Sequence, residues 1–200
     1  MHKKQKFFQA VGEAVIPILG FFYFDWDLYF ILLFFFIDLA CTELFLHLKI
    51  KRIRLFKKDA GKKISSISNF TFLSIILMVA LIVVAHVAVL VITPTIDFYS
   101  SFIEFLSYEE LGIPIPQGVI LFPLVLLGNY MQYKQFFITT QQYRFFEEKY
   151  FFKRRMKALS IGIAGAGLSI GMAFFLGFPE VIFLLLLVGV KFFVDFKMRY

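Results

Sequence analysis

The sequence predicts an all-α fold, a polytopic membrane helix bundle of about six transmembrane helices with both termini cytoplasmic, forming a single transmembrane domain over residues 1–200. Three observations predict it. Hydrophobic residues make up 60% of the chain and the mean hydropathy is +0.80, beyond the apolar share of a soluble domain. The apolar residues fall into runs of about 20, the length that crosses a bilayer as a helix. The Lys and Arg residues crowd into alternate connections, leaving the others acidic.

The first span covers residues 7–24. Its start, MHKKQKFFQAVGEAVIPILGFF, imitates a secretory signal, but FYFDWD offers no small-residue cleavage site, so the segment reads as an uncleaved helix. Pro17 removes one backbone hydrogen bond and predicts a kink. In the FDWD turn, Trp26 is an interface anchor and Asp27 a cap for the second span, 28–48.

The connection KIKRIRLFKKDAGKK, residues 49–63, carries eight basic residues and predicts contact with anionic lipid, each cation contributing about 1 kcal/mol near the surface. The third span is 69–93. An interfacial helix is expected over 96–111, where Phe98, Phe102, Phe105 and Leu106 recur at helical spacing before GIPIP ends it. The fourth span is 117–137, and YRFFEEKYFFKRR after it either extends that helix or lies on the membrane surface. The fifth, 158–177, carries Gly162, Gly165, Ala166, Ser169 and Ala173 at small-xxx-small spacings that let helices approach closely. The sixth is 180–197.

Orientation follows from the charge map. Twenty of the 21 Lys and Arg residues lie in the N-terminal segment, in 49–63, in 134–157 and in the C-terminal tail. The opposite connections hold seven acidic residues and no Lys or Arg. Basic connections face the cytoplasm, which puts both termini there. The same segregation accounts for the net charge of +7 without nucleic acid as a partner. The only cysteine, Cys41, lies in an apolar run, so an intramolecular disulfide is impossible.

Ionisable groups at membrane depth are costly and usually face other helices. At a rise of about 1.5 Å per residue, Asp38 and Lys191 each lie about 15 Å below the outer face, near the midplane, and are expected to pair. Asp195, one turn beyond Lys191, competes for it or completes a triad. A second group is expected nearer the cytoplasm, from Glu43 and His47 with Glu13, Asp195, Asn129 and Gln132. No metal site is read, since His86 belongs to the outer half of the third span and HExxH and cysteine-ligand motifs are absent. No cofactor is read either: the glycines of the fifth span fail the GxGxxG spacing at Ile170.

PILGFFYFDWDLYFILLFFFIDL near the start, with Pro17, Trp26 and Leu28, and LLLLVGVKFFVDFKMRY at the end, with Lys191 and Asp195, together resemble a family of uncharacterised bacterial polytopic integral-membrane proteins. The resemblance implies a multi-pass protein of the bacterial inner (cytoplasmic) membrane and carries no assigned activity. With no nucleophile-base pair or metal motif, no catalytic residue is named. The function expected is that of a non-enzymatic accessory or assembly subunit of a larger membrane complex, meeting a membrane-protein partner or further copies of itself. The alternative is a proton- or ion-coupled small-solute transporter using the buried Asp, Glu, His and Lys seam.

Overall fold

The computed structural model describes residues 2–61, 68–107, 117–177 and 179–198. Among these the chain is all-helical, with α1 (His2–Tyr23), α2 (Leu28–Asp59), α3 (Ser68–Ile92), α4 (Phe98–Ser107), α5 (Gln117–Gln132), α6 (Glu148–Leu176) and α7 (Glu180–Met198). Three helices are long and apolar enough to cross a membrane: α2, α3 from Asn69, and α6. α1 contributes a shorter apolar stretch, Ala10–Tyr23.

The turn from α1 to α2 is built on Gly20. Its carbonyl accepts the amides of Phe24 and Trp26 at 3.1 and 3.0 Å, and its missing side chain makes room for the indole. A Cβ there would lie 2.0 Å from Trp26 Cε3. Trp26 is therefore turned into the bundle, 6% exposed and stacked on Phe30 at 4.6 Å between ring centroids, rather than presented to a headgroup layer. Asp27 caps α2, its carboxylate accepting the Phe30 amide at 2.5 Å.

α2 is the hub. Every residue from Leu28 to Phe35 is buried, which a helix achieves only when neighbours cover it on all sides. α5 and α4 pack on it, while α3, α6, α7 and α1 form a chain of neighbours around it. α4 does more than float at an interface: Phe105 is 2% exposed and meets Phe30 edge to face at 4.6 Å. The proposed stretch 108–111 of that helix lies outside the described residues. α3 in contrast leaves Phe72, Val79 and Val83 more than half exposed, a surface suited to lipid chains.

Two connections differ from the sequence reading. Residues 49–59 are not a loop but the continuation of α2, which stops only before Gly61 at φ 63°. Their apolar positions Ile50 and Ile53 pack with Leu46, Phe137, Phe151 and Phe152 in a second core, and this burial carries the helix past the membrane-length segment. After α5 the backbone widens into a π-helix, Tyr133–Ile138, and passes a left-handed residue, Gln141 (φ 54°), into a short 3-10 turn, Gln142–Arg144. YRFFEEKYFFKRR therefore does not extend the fourth span. It supplies this turn and then, from Glu148, the first turns of α6.

Candidate functional site

Four helices bring a group of polar side chains together at the level where α1 and α7 are midway along and α2 is ten residues past its start. Lys191 of α7 is its centre. The ammonium lies 2.8 Å from Asp38 Oδ2 on α2 and 3.7 Å from Glu13 Oε2 on α1, and donates to Asp195 Oδ2 one turn along its own helix. α5 completes the shell with two amides. Asn129 Nδ2 donates to Asp38 Oδ1 at 2.9 Å and Gln132 Nε2 to Glu13 Oε1 at 3.0 Å. Thr42 donates to Asn129 Oδ1 at 3.4 Å. Asp38, Asn129 and Gln132 are each under 10% exposed.

This arrangement corrects the grouping of Glu13, Asp195, Asn129 and Gln132 with Glu43 and His47. Glu13 lies ten residues before the end of α1 at Tyr23 and Asp38 ten after the start of α2 at Leu28. At about 1.5 Å per residue both sit about 15 Å below the same turn. Asp195 reaches the same group through its i,i+4 contact with Lys191.

Among the described residues, three acids of this cluster meet one base. The carboxylate oxygens of Glu13, Asp38 and Asp195 lie within 4.8 Å of one another, a set that offers ligands to a metal ion. The Lys191 ammonium binds all three, so the cation of the cluster is supplied by the chain itself. These three carboxylates and one ammonium, taken by themselves, carry a formal charge of −2. At an effective dielectric of about 20, two like charges at this separation repel by about 3.5 kcal/mol.

Glu43 and His47 belong to a second group. Glu43 is 7% exposed, pairs with Arg155 Nε of α6 at 2.9 Å, accepts from Ser74 Oγ of α3 at 3.0 Å and has His47 Nε2 at 3.6 Å. Arg155 also donates to the Leu39 carbonyl at 3.2 Å. A third group lies beyond it, where the fully buried Glu148 takes Arg54 at 3.1 Å and Lys57 at 3.7 Å. Sequence reading named neither Arg155 nor Glu148 as a partner, because it placed both outside the fifth span. His86 stays apart, within 3.3 Å of Tyr29 Oη and stacked on Phe36 at 5.3 Å.

Between α2, α6 and α7 lies a cavity of about 180 Å³ that Asp38, Lys191 and Asp195 line. The small residues of α6 border it. A Cβ on Gly162 would meet Leu81 of α3 at 3.3 Å and one on Gly165 would meet Val190 of α7 at 2.9 Å. Ala166 and Ser169 line the cavity, Ser169 Oγ donating back to the Gly165 carbonyl at 2.8 Å, and Ala173 is half-buried beyond them. Compared with models of protein families, with curated proteins and with solved structures, the chain matches none.

Proposed function

We propose that the chain is a six-span membrane protein, both termini cytoplasmic, that works as a proton-linked carrier of a small solute. The observation that carries this reading is the cluster around Lys191 on the wall of a cavity, where, among the described residues, three carboxylates meet the same ammonium. Three carboxylates and one ammonium, taken by themselves, reach neutrality by taking up two protons. A solute entering the cavity meets Asp38, Lys191 and Asp195 directly, so its binding and the proton count are coupled through the same atoms. Membrane depth makes the coupling strong, since ionised groups there are costly unless neutralised.

An accessory or assembly subunit is the second reading. One observation favours it: Glu13, Asp38, Glu43 and Lys191 each have a partner on another helix, which is what an inert brace requires. Liposome reconstitution separates the two. With a pH dye trapped inside and pools of small solutes added outside, the carrier reading expects solute-dependent proton flux in the wild type and none in Asp38→Asn. A protein that purifies with a stoichiometric partner and gives no flux with any pool overturns it in favour of the subunit. The resemblance near the two chain ends supports placing the protein in a bacterial inner membrane, and the basic stretch 49–63 supports anionic lipid beside it.

A further inference from the structure

The two ends of the cavity are closed by different chemistry. Leu32 of α2, Ala85 of α3 and Phe183 of α7 line it toward the outer face of the proposed topology, and Lys49 of α2 with Phe151 of α6 line it toward the cytoplasm. Apolar packing covers both ends. Leu28, Val89 and Leu184 surround the outer one, Ile53 and Phe152 the other, each at most 2% exposed. Such packing is non-directional, so the polar ties between α2 and its neighbours decide which end parts more easily.

Toward the cytoplasm those ties are charged. Glu43 of α2 takes Arg155 of α6 at 2.9 Å and Ser74 of α3 at 3.0 Å, and Arg155 also donates to the Leu39 carbonyl. Further along α2, Arg54 and Lys57 close on the buried Glu148 of α6. Separating these pairs would leave ions uncompensated in a buried site. Toward the outer face the tie between α2 and α3 is neutral. His86 Nδ1 lies 2.8 Å from the Ile82 carbonyl, which only accepts, so the neutral ring carries its proton on that nitrogen. Nε2 is then an acceptor, and Tyr29 Oη donates to it at 3.3 Å. Phe36, itself on the cavity wall, stacks on the same imidazole at 5.3 Å, and Phe98 of α4 flanks it at 5.4 Å. A neutral hydrogen bond with ring contacts holds far less than buried ion pairs.

We infer that the cavity loads from the outer face through a gate formed by Tyr29 and His86, with Phe36 as its inner door, while the Glu43 and Glu148 groups keep the cytoplasmic end shut. This rests on the carrier reading for the cavity being a passage, and it adds the side of entry and the residues that control it.

The test reads access rather than transport. In a Cys41→Ser background, Ser169→Cys puts a thiol on the cavity wall. A small charged methanethiosulfonate is applied to the full chain from outside in intact cells and from the cytoplasmic side in inverted vesicles, with Thr95→Cys as the exposed reference. From outside, Tyr29→Phe is expected to speed labelling of Ser169→Cys about fivefold, the effect of one lost neutral hydrogen bond. His86→Leu removes the acceptor instead and does the same, which keeps the test open where one variant does not fold. From the cytoplasmic side neither variant changes the rate, whereas Arg155→Gln raises it. Equal acceleration from both sides means a bundle loosened as a whole and overturns the gate, as does no acceleration from outside with either variant. Labelling of Thr95→Cys from the cytoplasmic side alone overturns the inferred side of entry. Gated labelling in a protein that gives no flux with any solute pool overturns the carrier reading and leaves the gate; flux with labelling indifferent to Tyr29→Phe and His86→Leu overturns the gate and leaves the carrier.

Discussion

Lys191 is where a single substitution has the widest effect, because its ammonium holds carboxylates from three helices. Lys191→Met is expected to cost about 3–5 kcal/mol, the usual effect of leaving buried charges uncompensated. Asp38→Asn keeps the size of the side chain and removes one of those charges, so in the double variant the two losses are expected to fall short of their sum. Unfolding of the two single variants and the double in detergent micelles measures that coupling directly; additive losses would show that Asp38 and Lys191 act independently. Counting residues from the outer helix ends was enough to put this pair at one depth, and the two groups lie 2.8 Å apart. Counting along the chain assigned the amides of Asn129 and Gln132 to the group of Glu43 and His47, whereas they bind Asp38 and Glu13, because their place depends on how α5 leans on α2. A second residue-scale prediction concerns Asp97, exposed at the start of α4. The Ser100 hydroxyl, then the amides of Ser100 and Tyr99, hold its carboxyl below the ordinary carboxylate range. A lowered value means the cap stabilises α4 above the ordinary carboxylate pKa and is lost as pH falls through the lowered one. Hydrogen exchange of the Tyr99 and Ser100 amides, corrected for intrinsic rate, is expected to speed up across that acidic window and nowhere above it.

At the scale of the element, α2 marks the limit of what hydropathy reveals. Its apolar run announces the membrane-length half, whereas its continuation to Asp59 is interleaved with Lys and Arg and reads as a basic connection. What extends the helix is tertiary: Ile50 and Ile53 fall on a buried face, and Arg54 and Lys57 close on Glu148 from α6. A charge whose partner lies about a hundred positions away leaves no local signal. The turn before α2 is similarly hidden, since FDWD signals a break but not that Gly20 must be bare to receive Trp26. Gly20→Ala is predicted to destabilise the protein by about 1–3 kcal/mol through overpacking, because the new Cβ would overlap an indole already enclosed by its neighbours. Thermal unfolding monitored by the fluorescence of Trp26, the sole tryptophan, reads both the loss of stability and the displaced ring in one measurement.

For the whole molecule, the helical class was legible in the apolar runs, and each of the six segments read as spans coincides with helix in the structure, although among the described residues α2, α3 and α6 are the ones whose length and apolarity together qualify them as crossing helices. Glu13 in α1 and Lys191 with Asp195 in α7 are ionisable residues set in apolar helices, so the residues that join the bundle there are ones that lower its hydropathy. A span weakened in this way inserts when its charges are neutralised by neighbours, which makes topology a property of the assembled bundle rather than of each helix. The chain is well suited to testing this, because Cys41 is buried and is the only cysteine. In a Cys41→Ser background, single cysteines at Lys58, Thr95 and Glu147 occupy exposed sites in three successive connecting regions. If both termini are cytoplasmic, a membrane-impermeant maleimide applied to intact cells labels Thr95→Cys alone, and all three sites label once the cells are opened. Adding Lys191→Met should leave the position at Thr95 outside while exposing Glu13 and Asp38 uncompensated at depth; part of the population then fails to insert α1 or α7, and a cysteine placed in the N-terminal segment begins to label from outside. Labelling at that N-terminal position that stays absent in the Lys191→Met background would mean that α1 inserts on its own hydropathy and that the seam acts only after the topology is set.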